Sequence, residues 1–165
     1  MKNLVLIGLP GCGKTTVGRC LAAELGLIFV DCDGEIEKRS GKSIPEIFAQ
    51  DGEEAFRTWE SEVLTEVLAR PGKVVSTGGG IVLKKENRDV LSRATVVFLD
   101  RTPDNILSSC DMADRPLMQT KTLAELAGER RELYLDCADH RVAAENLDEI
   151  IAEIIAYWRE GTCAF

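Results

Sequence analysis

Residues 8–15 read Gly-Leu-Pro-Gly-Cys-Gly-Lys-Thr, a complete G-x-x-x-x-G-K-[ST] loop. It stands directly after the apolar run Leu4-Val5-Leu6-Ile7 and before a segment whose Val17, Leu21 and Leu25 recur at helical spacing. A buried strand, a glycine loop and a helix in that order form a phosphate cradle. The glycines let the main chain turn and aim its N–H groups inward, and the helix start adds the positive end of its dipole. The ligand that fits is a triphosphate, with Gly11, Cys12, Gly13, Lys14, Thr15 and Thr16 around it. Lys14 is expected to reach the β- and γ-phosphates, and the Thr15 hydroxyl to enter the shell of a Mg²⁺ ion that keeps most of its waters. Without the flanking strand and helix, the same residues would read as a glycine-rich turn capping a helix.

The rest of the chain extends this pattern. Short apolar runs recur at Leu27 to Val30, Val74 to Val75, Thr95 to Leu99 and His140 to Ala143, separated by segments of helical period such as Val63, Leu64, Val67 and Leu68. Unalternated runs of this length are what strands buried on both faces of a parallel sheet look like, so the fold class is α/β with helices on both faces. The stripe Leu147, Ile150, Ile151, Ile154, Ile155 and Trp158 predicts a closing C-terminal helix that packs on the core. Two regions interrupt the alternation. Residues 32–60 insert two or three helices after the second strand, a candidate substrate flap, and residues 108–119 form a polar stretch with the length of a lid over the phosphates. The same polar stretch also fits an exposed loop between two helices. One domain over 1–165 accounts for the length.

Composition narrows the partners. With 20 Lys plus Arg against 28 Asp plus Glu, the net charge of -8 disfavours nucleic acid and anionic membrane surfaces and leaves a small soluble substrate. No apolar run approaches a membrane span and Met1-Lys2-Asn3 opens no signal peptide, so a cytoplasmic protein is expected, acting as a monomer. Six cysteines at 12, 20, 32, 110, 137 and 163 have neither metal-ligand nor disulfide-framework spacing, which predicts free thiols. Cys12 reads either as a small residue filling the loop or as a thiol made reactive by Lys14.

Further motifs follow in order: Asp31-Cys32-Asp33, Phe56-Arg57-x-x-Glu60, Ser76-Thr77-Gly78-Gly79-Gly80, Arg115-Pro116-Leu117 and Arg130-x-x-x-Tyr134. Together with the phosphate loop this set resembles the shikimate kinase family, over about residues 2–138. The resemblance implies a P-loop, nucleoside-monophosphate-kinase-like core with a five-stranded sheet in the order 2-3-1-4-5, a shikimate-binding insertion and a lid. It also implies transfer of the γ-phosphate of ATP to the 3-hydroxyl of shikimate, a step of aromatic amino-acid biosynthesis through chorismate. By the same resemblance Asp31 serves the Mg²⁺ side through water. Asp33 binds the shikimate hydroxyls and orients or deprotonates the attacking one, and Arg57 and Arg130 hold the carboxylate. Glu60 steadies Arg57, and Arg115 closes on the transferring phosphate.

These assignments agree with residue chemistry. Two acids one residue apart at a strand end are expected to face different ways and divide the work. A guanidinium matches a carboxylate in a bidentate pair, although Arg57 with Glu60 taken alone would be a surface ion pair of little worth. Gly78, Gly79 and Gly80 read as a floor beneath the sugar-like ring. Tyr134 reads as core packing with a hydroxyl handle, and His140 as a strand-start residue without catalytic duty. The chain departs from the family at Ser108, where an arginine commonly packs on adenine, in the Val142 to Asn146 segment, and at Glu132 and Arg131 beside Arg130. A gluconate or nucleoside monophosphate kinase of the same architecture, or a non-catalytic nucleotide-binding homologue, are the rival readings.

Overall fold

The computed structural model describes residues 2–109 and 121–162. Five short strands, β1 (Leu4–Ile7), β2 (Ile28–Asp31), β3 (Lys73–Ser76), β4 (Thr95–Leu99) and β5 (His140–Val142), pair in parallel in the order β2-β3-β1-β4-β5. The sheet is therefore ordered as expected. β1 is central and wholly buried, in register with β3 through Leu6↔Ser76 and with β4 through Leu6↔Val97. The chain runs from β1 toward β2 on one side and returns to β4 on the other, so a crevice opens at the carboxyl ends of the strands beside β1.

Helices α1 (Lys14–Leu25), α2 (Cys32–Ser40), α3 (Ile44–Gln50) and α4 (Glu53–Leu68) occupy the first half. They are followed by α5 (Lys85–Leu91), α6 (Pro103–Ser109), α7 (Leu123–Cys137) and α8 (Leu147–Thr162). Three helices therefore fill the stretch between β2 and β3, and α4 runs beyond residue 60 to Leu68. Serine and threonine caps set two of the starts. Ser43 with Glu46 opens α3 and Thr122 with Glu125 opens α7, each as a reciprocal capping box. On α8, Ile150, Ile154 and Trp158 are buried and the helix packs against α1, as the stripe predicted; Leu147 at its start is exposed.

Two strand expectations need correction. β2 lies one residue later than the apolar run suggested and is an edge strand, with Ile28 66 % exposed, rather than one buried on both faces. The shift matters because β2 ends at Asp31 and α2 starts at Cys32, so Asp33 sits in a first helical turn and not on a strand. The expectation that residues 108–119 form one lid loop meets α6 at 108 and 109, and residues 110–119, Arg115 among them, lie outside the described residues.

Both substrate-side helices carry charge on a face that is otherwise core. The buried stripe of α4 is Phe56, Arg57, Glu60, Val63, Leu64 and Val67, and that of α7 is Leu123, Leu126, Arg130 and Tyr134. A guanidinium that shares its helical phase with core leucines has to find buried partners.

Candidate active site

The phosphate loop leaves β1 with Gly11 at φ 76° and Gly13 at φ 98°, a left-handed region open to glycine at little cost. That geometry points the start of α1 at the crevice, which Gly11, Gly13, Lys14, Thr15 and Thr16 line. Lys14 is 7 % exposed, and its Nζ donates to the carbonyls of Gly8 at 2.9 Å and Leu9 at 2.8 Å, with Cys12 Sγ 3.6 Å away. The ammonium thus lies along the loop's own inner rim. Cys12 is buried beneath the loop and does not line the cleft, in keeping with a residue that fills the turn.

Opposite the loop stand the ends of β2 and β3. Asp31 and Asp33 line the same cleft, Asp31 toward Lys14 and Arg19 and Asp33 toward Gly78 and Glu60, with Asp33 in the first turn of α2. Burial pushes the Asp31 carboxyl above its ordinary range, against the pull of the Asp33 amide and of Lys14 and Arg19. Ser76 and Thr77, which sequence reasoning passed over, also line the cleft. The Ser76 Oγ lies 3.4 Å from Thr15 Oγ1, and Thr77 Oγ1 donates to the Leu6 carbonyl at 2.8 Å, tying β3 to β1. Two hydroxyls and a carboxylate around one opening, with no cluster of three His, Cys, Asp or Glu among the described residues, suit a Mg²⁺ held mainly by phosphates and water.

The three glycines after β3 differ in what they permit. A Cβ on Gly78 would lie 2.7 Å from Glu60 Oε1 and 3.2 Å from Asp33 Oδ1, and one on Gly79 would lie 2.7 Å from Pro10 Cδ. On Gly80 it would lie 2.1 Å from Arg57 Nη1. Gly78 and Gly79 line the cleft, and Gly80 is packed under the Arg57 guanidinium. Each glycine therefore makes room for a different neighbour.

Arg57 and Glu60 form a buried pair rather than a surface one. Arg57 Nη1 donates to Glu60 Oε2 at 2.5 Å, with the side chains 8 % and 2 % exposed, and Nη2 reaches Glu53 at 3.3 Å. Burial pushes the Glu60 carboxyl up to about 7, opposed by Arg57 and Arg130 and assisted by Asp33. Arg130, 3 % exposed, reaches the same place from α7, while the next residue, Arg131, points outward and pairs with Asp100 at 2.5 Å. The same Asp100 carboxylate also binds Arg141 at 2.5 Å, joining α7 to the end of β5. Tyr134, stacked on Phe98 at 5.0 Å, donates its hydroxyl to the Gly79 carbonyl at 2.5 Å. His140 bonds Glu153 and stacks on Tyr157, away from the cleft.

Buried polar atoms without a hydrogen-bond partner include Arg57 Nε, Arg130 Nε and Nη1, and Glu60 Oε1. Native interiors leave few such atoms, and two guanidiniums offering unused N–H groups beside a carboxylate-lined cleft fit an anion with hydroxyl groups.

Known proteins share this arrangement. The shikimate kinase family model matches residues 10–159. The shikimate kinase of Clostridium beijerinckii is 42 % identical over 160 residues, 93 % of this chain and 94 % of that one, and that of Symbiobacterium thermophilum is 39 % identical over 168 residues, 96 % and 97 %. Among solved structures, the shikimate kinase from Acinetobacter baumannii in complex with shikimate superposes with a TM-score of 0.93 at 36 % identity, covering 98 % of this chain and 94 % of that one. A gluconokinase from Sinorhizobium meliloti, at 20 % identity and TM-score 0.54 over 94 % of this chain and 90 % of that one, shares the fold alone. With a family match that runs from Pro10 in the phosphate loop past the Arg57–Glu60–Arg130 cluster, the chain belongs to the shikimate kinase family.

Proposed function

We infer that this chain transfers the γ-phosphate of ATP to the 3-hydroxyl of shikimate, a step of aromatic amino-acid biosynthesis. The observation that carries the acceptor is the pair of buried guanidiniums, Arg57 and Arg130, whose unpartnered N–H groups suit the carboxylate of a small polyhydroxylated acid. Asp33, in the first turn of α2 and lining the cleft shared with Lys14, orients or accepts the proton of the attacking hydroxyl. Gly78 and Gly79 bring main chain to the ligand. Lys14, by exchanging its loop carbonyls for phosphate oxygens, supplies charge along the transferring group, and Arg115 is assigned the lid-side share of that task.

Thr15 and, through water, Asp31 would hold a Mg²⁺ ion, which would supply positive charge to offset that of the phosphates. The molecule works as one kinase domain, with residues 32–60 as its substrate-binding insertion and 108–119 as its lid. It acts as a cytoplasmic monomer without nucleic acid or membrane partners; among the described residues no helix is long and apolar enough to cross a membrane.

The test is a coupled assay of ATP consumption with shikimate, quinate, gluconate and nucleoside monophosphates as acceptors. Shikimate is expected to be used by far the best, and Lys14→Met to lose turnover while melting like the wild type. Preference for another acceptor, or comparable turnover in Lys14→Met, overturns the assignment.

A further inference from the structure

Charge in the substrate half of the site is nearly closed before any acid binds. Glu60 is 1 % exposed, with Oε2 on Arg57 and Oε1 without a hydrogen-bond partner. That Oε1 fills the space a Gly78 side chain would take, 2.7 Å from an added Cβ, with Asp33 Oδ1 3.2 Å from the same point. The charged and titratable groups facing Glu60 are Arg57 from its own helix, with the half-exposed Glu53 beyond it, Asp33 and the Cys32 thiol from α2, and Arg130 with the Tyr134 phenol from α7. Burial drives the Cys32 thiol and the Tyr134 phenol up, so both stay neutral. Two permanent cations then face two buried-side carboxylates, Glu60 and Asp33. Adding the carboxylate of an acidic substrate to Arg57 and Arg130 leaves one surplus negative charge where water cannot screen it.

We propose that shikimate binding is coupled to uptake of one proton by Glu60, held on its Oε1, so that the acid enters the site together with its neutralising proton. The inference rests on the substrate reading above. The proton comes from solvent, no bond of the substrate changes, and Oε2 keeps its hydrogen bond from Arg57. Glu60 is here a positioning residue whose protonation sets affinity for the acceptor rather than a group that touches the transferring phosphate. The geometry favours Glu60 because the residue is 1 % exposed and its Oε1 has no donor, whereas Asp33 is only partly buried and lines the open cleft. A carboxyl already raised to about 7 is poised for this at neutral pH.

Isothermal titration of shikimate into the whole chain at pH about 7.5, in phosphate and in Tris, reads the protons bound per ligand from the dependence of the heat on the buffer. The expected result is net uptake, with a shikimate Kd that weakens by up to about tenfold per pH unit above neutrality. Glu60→Gln, which keeps an oxygen for Arg57, should bind with no uptake and a flat Kd. Uptake that survives in Glu60→Gln puts the proton elsewhere and overturns the proposal. Binding without uptake in the wild type also overturns it while leaving the substrate reading intact, whereas no binding at all removes the substrate reading itself. Should Glu60→Gln fold poorly, the infrared difference spectrum of the wild type decides: a new protonated-carboxyl C=O band on adding shikimate is expected, and its absence overturns the proposal.

Discussion

Gly80→Ala isolates the packing of one guanidinium. The backbone at Gly80 lies outside the left-handed region, so alanine brings no conformational penalty and the whole effect is steric. Its Cβ would stand 2.1 Å from Arg57 Nη1, 2.5 Å from Cζ and 2.6 Å from Nη2, where ordinary contact starts at 3.4 Å. The guanidinium must therefore move by roughly 1 Å or more, out of line with Glu60 and away from the proposed carboxylate position. Losing one charge-assisted hydrogen bond of about 1.5 to 3 kcal/mol predicts a shikimate KM raised by roughly 10- to 150-fold. The KM for ATP should move little. Gly79→Ala is the comparison, because its Cβ meets Pro10 Cδ at 2.7 Å and Pro10 N at 3.2 Å, so the phosphate loop has to give and the ATP KM should rise as well. Steady-state kinetics with each substrate varied at saturation of the other measures both. A shikimate KM within about twofold of wild type in Gly80→Ala, or an equal rise for ATP, would refute the reasoning.

Three other outcomes follow from the site. Arg130→Ala should raise the shikimate KM with little change for ATP, whereas Arg131→Ala, which only releases one side of Asp100, should leave it near wild type; the reverse order would mean the acceptor ligand is assigned one residue off. Glu60 binds a proton more tightly folded than unfolded, at about 7 against 4.5, so its contribution to stability is present below about pH 4.5 and is lost as pH rises through about 7; chemical denaturation across that window should show a decline that Glu60→Gln removes. Ser108 is exposed, with its Oγ on the Asn105 carbonyl; if it holds the family's adenine-packing position, Ser108→Arg should lower the KM for ATP more than for GTP, and an unchanged ratio would show that other residues hold the base.

Local chemistry was legible in the residues, and contacts between distant segments were not. The phosphate loop, the α/β alternation and the closing helix announce themselves through glycine spacing and apolar period, both local signals, whereas the strand order was implied by the family resemblance. The boundary at Asp31 was misjudged because β2 ends one residue later than its apolar run, which puts Asp33 in a helical turn. That α4 brings Arg57 against Gly80 has no local signal in the residues around either one. A signal for the buried charges was nevertheless present. Arg57 and Glu60 fall in phase with Leu64 and Val67, and Arg130 with Leu123, Leu126 and Tyr134, so charge on a core stripe marks a site even before a family is suspected. Ser76, Thr77 and the Tyr134 bond to Gly79 carry no such mark, since they are polar residues whose partners come from other strands and helices.

The Lys14 ammonium, seated on the carbonyls of Gly8 and Leu9, has a bearing on inhibitor chemistry. A molecule that enters the loop must offer oxygens at least as strongly accepting as two main-chain carbonyls, or the lysine stays where it is. Neutral isosteres of phosphate, such as sulfonamides or carbamates, would then compete with the protein itself and gain little from the cradle, whereas doubly charged groups would draw the side chain across. Arg57 Nε and Arg130 Nε and Nη1, by contrast, have no hydrogen-bond partner to displace, although the other Arg57 nitrogens are held by Glu60 and Glu53. On these grounds a carboxylate anchored between the two arginines is the better starting point for a selective ligand of this enzyme.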